Sequence, residues 1–305
     1  MLKRFLYAGI LVAAAFYVSC MTPGISKKAD DFVVLMRAPE KVANYERDVV
    51  WASPGGVDLH MDISIPEGEG PFPVLVWFHG GGWEYFSKEA NVGLAKYFTN
   101  RGYVVFNMNY RMFPEVTMKT IVEDAMGAFL WAKDHAPDYR GDPSRMALSG
   151  HSAGAHLATM VVVACGDPYF NPTYKSSKGN DCSVNCLIPV SGVYDFHPLI
   201  ESEGEKMWTK IFGATEEENP EVYRKCSPIN YLRADLPPQL VVYGERDFLR
   251  DNNELWAKSL AETGADVVPY MEAGQKHLWP TWHWKKPTIR TYDRMIDFLD
   301  KHLKN

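Results

Sequence analysis

The chain has 305 residues and a formal charge of −6 at neutral pH; 46% of it is hydrophobic and 13% aromatic. Apolar content at this level excludes intrinsic disorder, and only five cysteines in so long a chain exclude a small disulfide scaffold. A negative balance also excludes a global nucleic-acid footprint, which needs clustered positive charge.

The chain opens with Lys3 and Arg4, followed by an uncharged apolar run from Phe5 to Val18. That run is shorter than the ~20 residues that span a bilayer. Its layout predicts a secretory signal peptide over residues 1–19. Val18-Ser19-Cys20 resembles the lipobox of bacterial lipoproteins, where the Cys carries lipid, although Tyr17 stands where Leu is usual. The expectation is therefore an exported protein held at a membrane through Cys20, with plain secretion or an uncleaved anchor as alternatives. Export would place Cys165, Cys182, Cys186 and Cys226 in an oxidising setting. A bridge between Cys165 and Cys182 and free buried thiols are both open readings. No second pair or His cluster gives Cys182 and Cys186 zinc spacing, so no metal is expected.

Residues 20–44 read as an N-terminal segment or cap, and residues 45–305 as one α/β domain. Tyr45–Ala52 and Val57–Ile65 form a predicted antiparallel pair joined at Ser53-Pro54-Gly55-Gly56. The alternation of Leu59, Met61, Ile63 and Ile65 predicts an edge strand with one wet face. Continuous apolar runs follow at Val74–Phe78, Tyr103–Phe106, Met146–Leu148, Leu187–Val190, Leu240–Tyr243 and Val267–Val268. Such runs suit strands buried on both faces of a parallel sheet. Helices are predicted between them, over 88–100, 117–135, 152–164 and 250–263, and after Pro287. In the second, Ile121, Ala125, Phe129 and Ala132 fall on one face. In the last, Ile289, Tyr292, Ile296, Leu299 and Leu303 make one stripe. Strands alternating with helices predict crossover units and a mostly parallel sheet. Residues 194–237 break the rhythm and read as a small cap insertion.

Gly150-His151-Ser152-Ala153-Gly154 follows one apolar run and opens a helix. This is the strand–turn–helix setting of a nucleophile elbow, which lifts the Ser152 hydroxyl to the carboxyl edge of the sheet. His79-Gly80-Gly81-Gly82-Trp83 follows another run. Its glycines free backbone N–H groups to meet a developing oxyanion, so Gly81 and Gly82, with Ala153, are the predicted donors. His79 reads as a residue that fixes the loop. Asp247 follows Leu240–Tyr243 and is the predicted acid, with Asp251 and Glu245 as alternatives. His277 follows the run at Val267–Val268 and is the predicted base, with His283 behind it. His302 falls in the last helix. His151 and His156 read as packing and elbow support. The order Ser152, Asp247, His277 is that of the hydrolase triad.

These motifs, with Asn109-Tyr110-Arg111, Asp142-Pro143-Ser144-Arg145 and Asp247–Asp251, resemble α/β-hydrolases of the esterase branch that holds hormone-sensitive-lipase-like and feruloyl-esterase-like proteins. The resemblance spans residues 45–303. It implies an eight-stranded sheet, no cofactor, and hydrolysis of carboxylic esters. The chain departs from the pattern at Leu278-Trp279, where Gly-Phe is common, and in the aromatic stretch to Trp284. Trp83 and Trp279 are the predicted substrate contacts, and Trp282 and Trp284 further candidates; packing is the competing role for all four. The expected substrate is a small-molecule or glycan-borne ester. An aryl-formamidase-type amidase shares the glycine-rich loop. A non-catalytic binding module would be expected to lack a triad member, and none is missing here.

Overall fold

The computed structural model describes Val42 and residues 44–203 and 205–304. The expected signal peptide, Cys20 and nearly all of the 20–44 segment lie outside these residues. The described strands are β1 (Asn44–Ala52), β2 (Leu59–Ile65), β3 (Phe72–Phe78), β4 (Val104–Met108), β5 (Gly141–His151), β6 (Cys186–Val190), β7 (Gln239–Gly244) and β8 (Val267–Glu272). They form one eight-stranded sheet in the order β1-β2-β4-β3-β5-β6-β7-β8. β2 runs antiparallel to β1 and to β4, and every pairing beyond β4 is parallel. This is the mostly parallel α/β-hydrolase sheet that the sequence predicts.

Helices cover both faces. α1 (Val92–Thr99) and a C-terminal helix over Lys286–Leu303 close one of them. α2 (Met118–His135) and α3 (Ala153–Ala164) close the other, joined by a helix over Arg250–Glu262. Three short helices, α4 (His197–Glu203), α5 (Glu205–Phe212) and α6 (Pro220–Cys226), fill the connection from β6 to β7. The Arg250–Glu262 helix is therefore α7 and the C-terminal one α8. The predicted face of α2 is fully buried at Ile121, Ala125, Phe129 and Ala132. The buried stripe of α8 is rotated from the predicted one. Tyr292, Leu299 and Leu303 are inside with Met295 and Phe298, while Ile289 and Ile296 are half-buried.

β2 corrects the predicted edge strand. It lies inside the sheet between β1 and β4, and the half-exposed edge is β1. Asp62 and Ser64, two of the polar residues that alternate along β2, are buried too, because each has a partner. Ser64 pairs with Thr99 at 2.6 Å, and Asp62 with the buried Lys88 at 2.7 Å. Lys88 also reaches Asp48 and Glu89, both at 2.7 Å. A buried charge is tolerated only when paired in this way.

The end of α2 organises the loop between α3 and β6. Cys165 and Cys182 are bridged across that loop, while Cys186 and Cys226 are free and buried. Asp134 accepts from Ser176 Oγ at 2.6 Å, Asn180 Nδ2 at 2.7 Å, Tyr174 Oη at 2.8 Å and the Ser177 N–H at 2.9 Å. Burial works against the charged carboxylate, but these donors outweigh it and hold the carboxyl well below the usual carboxylate range. A lowered native pKa stabilises the fold above the unfolded value of about 3.9, and the effect fades as pH falls toward the native value. Asp134→Asn should therefore cost roughly 1–3 kcal/mol in urea unfolding at pH 7. The gap to wild type should narrow below about pH 4; a gap independent of pH would contradict this account.

Candidate active site

The parallel register brings five strand ends to one edge. Phe78 of β3 pairs with Gly150 of β5, His151 of β5 with Val190 of β6, and Gly244 of β7 with Glu272 of β8. The residues that follow these strands must therefore emerge side by side, as in other open α/β sheets.

Ser152 lies between β5 and α3 with φ 57° and ψ −120°, a conformation rare for a residue with a side chain. Such a backbone costs on the order of 1–3 kcal/mol and must be held by its surroundings. Its N–H donates to Val190 O at 2.9 Å, and its carbonyl accepts from the His156 N–H at 3.0 Å. The close fit explains the flanking glycine of the motif. A Cβ on Gly154 would lie 2.1 Å from Phe78 O, so only glycine lets α3 approach β3 this closely.

The Nε2 of His277 lies 2.8 Å from Ser152 Oγ. The Nδ1 of the same ring lies 2.9 Å and 3.1 Å from the two oxygens of Asp247. With Nδ1–H donating to Asp247, Nε2 is left to accept the Ser152 hydroxyl proton. Burial alone would raise the pKa of Asp247. The hydrogen bond and charge of His277 reverse this and hold the carboxyl below its ordinary value, as an anion at neutral pH.

The alternatives are placed elsewhere. Glu245 accepts from the Gly274 N–H at 2.7 Å and so ties the loop that carries His277 to the end of β7. Asp251 is exposed on the first turn of α7. His283 packs on α1, where a Cβ on Gly93 would meet its ring at 2.6 Å. The structure thus brings together Ser152, Asp247 and His277 from the ends of β5, β7 and β8.

The glycine loop follows β3. At Gly81, φ is 122° and a Cβ would lie 1.9 Å from Tyr85 O, so the turn admits glycine alone. The Gly81 carbonyl accepts from the N–H groups of Glu84 and Tyr85. The N–H groups of Gly81, Gly82 and Ala153 donate to no backbone carbonyl among the described residues, and Ala153 opens α3, whose dipole favours negative charge. His79 fixes the loop as predicted. It stacks on Tyr110 with 4.3 Å between ring centroids, and Tyr110 Oη donates to the His79 carbonyl at 2.8 Å.

Three further histidines surround the site without charge at neutral pH. Burial pushes His79 and His156 down to about 4, and burial with the neighbouring His277 imidazole pushes His151 down to about 3. His151 Nε2–H donates to the His277 carbonyl at 2.8 Å, bracing the loop that carries His277. His156 Nδ1 accepts from the Trp83 indole at 3.2 Å, and its Nε2–H donates to Cys226 O at 2.8 Å. These specific links were not readable from the motif, because each joins residues 70 or more positions apart.

The two predicted tryptophan contacts are enclosed. Trp279 is 4% exposed; its N–H donates to Thr291 and its ring packs against Gly244 above α8. Trp83 is 3% exposed among His156, Phe196 and Trp208. Both are packing residues here, since neither ring presents an open face.

Sheet, elbow and the Ser152–His277–Asp247 chain together define an α/β-hydrolase. Residues 61–254 match the BD-FAE family, and the chain belongs to it. It is 33% identical to the carboxylic ester hydrolase LipN of Mycobacterium tuberculosis, over 78% of this chain and 68% of that one. It is 29% identical to esterase LipQ of the same organism, over 73% of this chain and 55% of that one. The chain spans about half the length of several curated relatives it matches. The crystal structure of EstE1, a carboxylesterase cloned from a metagenomic library, superposes with a TM-score of 0.77 at 25% identity, covering 92% of this chain and 96% of that one.

Gly154→Ala probes the elbow without touching the reacting groups. Its methyl has no room, and overpacking of this kind costs about 1–3 kcal/mol. The melting temperature should fall by at least about 3 °C; a wild-type melt would show that the close approach of α3 to β3 is not a constraint.

Proposed function

We propose that this protein is a serine carboxylesterase. The observation that carries the reading is the unbroken hydrogen-bonded chain from Asp247 through His277 to Ser152 at the carboxyl edge of the sheet. His277 Nε2 takes the Ser152 proton as Oγ attacks the ester carbonyl. Asp247 orients the imidazole and stabilises its charged form. The carbonyl oxygen becomes an anion within reach of the Gly81, Gly82 and Ala153 N–H groups. His277 then protonates the leaving alcohol, and water activated by the same imidazole releases the acid from Ser152. No step needs a cofactor.

The substrate class follows from less direct features. The signal peptide predicted ahead of Cys20 and the Cys165–Cys182 bridge both favour work outside the cytoplasm. Esters borne on glycans or plant polymers are available there, and they are the proposed substrates.

Purified protein should hydrolyse p-nitrophenyl acetate, with Ser152→Ala at least about 10⁴-fold slower in kcat and Asp247→Asn slowed by about 10⁴. Equal activity of Ser152→Ala would overturn the assignment. Turnover of N-formyl aryl amides with no turnover of short acyl esters would assign the site to an amidase instead.

A further inference from the structure

Phe248 is 67% exposed, the most exposed of the large hydrophobic residues described. It lies between Asp247 and Leu249, which are 6% and 2% exposed. The turn that carries it is firmly held. Asp247 N–H donates to Gly244 O at 3.2 Å, Leu249 N–H to Asp247 Oδ1 at 2.9 Å, and Arg250 N–H to Asp247 O at 3.1 Å. With Asp247 and Leu249 turned inward, the intervening side chain is directed outward. Its ring does not point into empty solvent, however. It lies against the His277 imidazole, with 4.5 Å between centroids and 48° between planes.

That position has a chemical meaning. In the acylation step the Ser152 Oγ–carbonyl bond forms and the bond from the carbonyl carbon to the alcohol oxygen breaks. The proton taken from Ser152 passes through His277 Nε2 to that alcohol oxygen. The oxygen must therefore come within hydrogen-bond reach of Nε2. Whatever the alcohol carries beyond its first carbon then lies near the imidazole, against which the exposed Phe248 ring also lies. Left open there, the ring forgoes the stabilisation that burial would give, about tenfold or more in the folding equilibrium.

The geometry points to Phe248 as a specificity-determining residue: its exposed ring beside His277 is the platform for the leaving alcohol and favours alcohols with a flat or ring-shaped body. This inference rests on the esterase reading and assigns one side of that site.

Benzyl acetate and ethyl acetate test it, because they share the acyl group and have alkoxide leaving groups of similar basicity. The measured quantity is the ratio of kcat/KM for benzyl over ethyl acetate. Stacking contacts are worth about two- to tenfold. Wild type should prefer benzyl acetate, Phe248→Ala should lose most of that preference through a higher KM, and Phe248→Trp should retain it. If Phe248→Ala slows both esters by the same factor through kcat, with a shifted pH profile, the ring only positions His277 and the inference fails. An unchanged ratio with unchanged rates also overturns it. If wild type turns over neither acetate and reacts with no fluorophosphonate at Ser152, the esterase reading itself falls, and this inference falls with it.

Discussion

Everything near the edge of the sheet depends on one strained residue. Ser152 adopts a left-handed backbone that an unsupported chain would leave. It is held there by Val190 on one side, by the first turn of α3 on the other, and by β3 pressed against Gly154. That same conformation points Oγ at His277 Nε2 rather than back along the helix. The Ser152–His277 geometry and the backbone strain are therefore one feature, and the tight glycine contacts around it are the means of keeping it.

Electrostatics serve the same end. The site contains four imidazoles, and three are buried deeply enough to stay neutral. Each of the three uses its ring nitrogens in fixed hydrogen bonds: His79 to its own loop, His151 to the His277 carbonyl, His156 between Trp83 and Cys226. Only His277 faces both a carboxylate and a hydroxyl. In the proposed mechanism the proton transfers are thereby confined to one ring, and the other three hold the loops around it.

Much of this was legible in the sequence, for a physical reason. Short continuous apolar runs suit strands with both faces buried, and the elbow requires glycine where side chains would clash, so the sheet and the turn at Ser152 could be read locally. Asp247 and His277 could be ranked because each follows a strand whose end must reach the same edge. The misreadings share a different cause. β2 looked like an edge strand because Asp62 and Ser64 are polar, but their partners, Lys88 and Thr99, come from the segment after the glycine loop. Trp83 and Trp279 looked like contact residues because an indole suits both a core and a ligand, and only the packing of Phe196, Trp208 and Thr291 around them decides between the two. Phe248 was read in the sequence only as part of the Asp247–Asp251 motif, since its exposure follows from the inward turn of its two neighbours.

In the proposed mechanism Ser152 Oγ is a nucleophile activated by His277. A fluorophosphonate ester reports this directly, because an activated hydroxyl displaces fluoride from phosphorus and stays bonded to it. Intact-mass and peptide mapping after brief exposure should show one phosphonyl group, on the peptide containing Ser152, formed rapidly in wild type and not detectably in His277→Ala. Labelling at another residue, or equal labelling of the two proteins, would contradict the account.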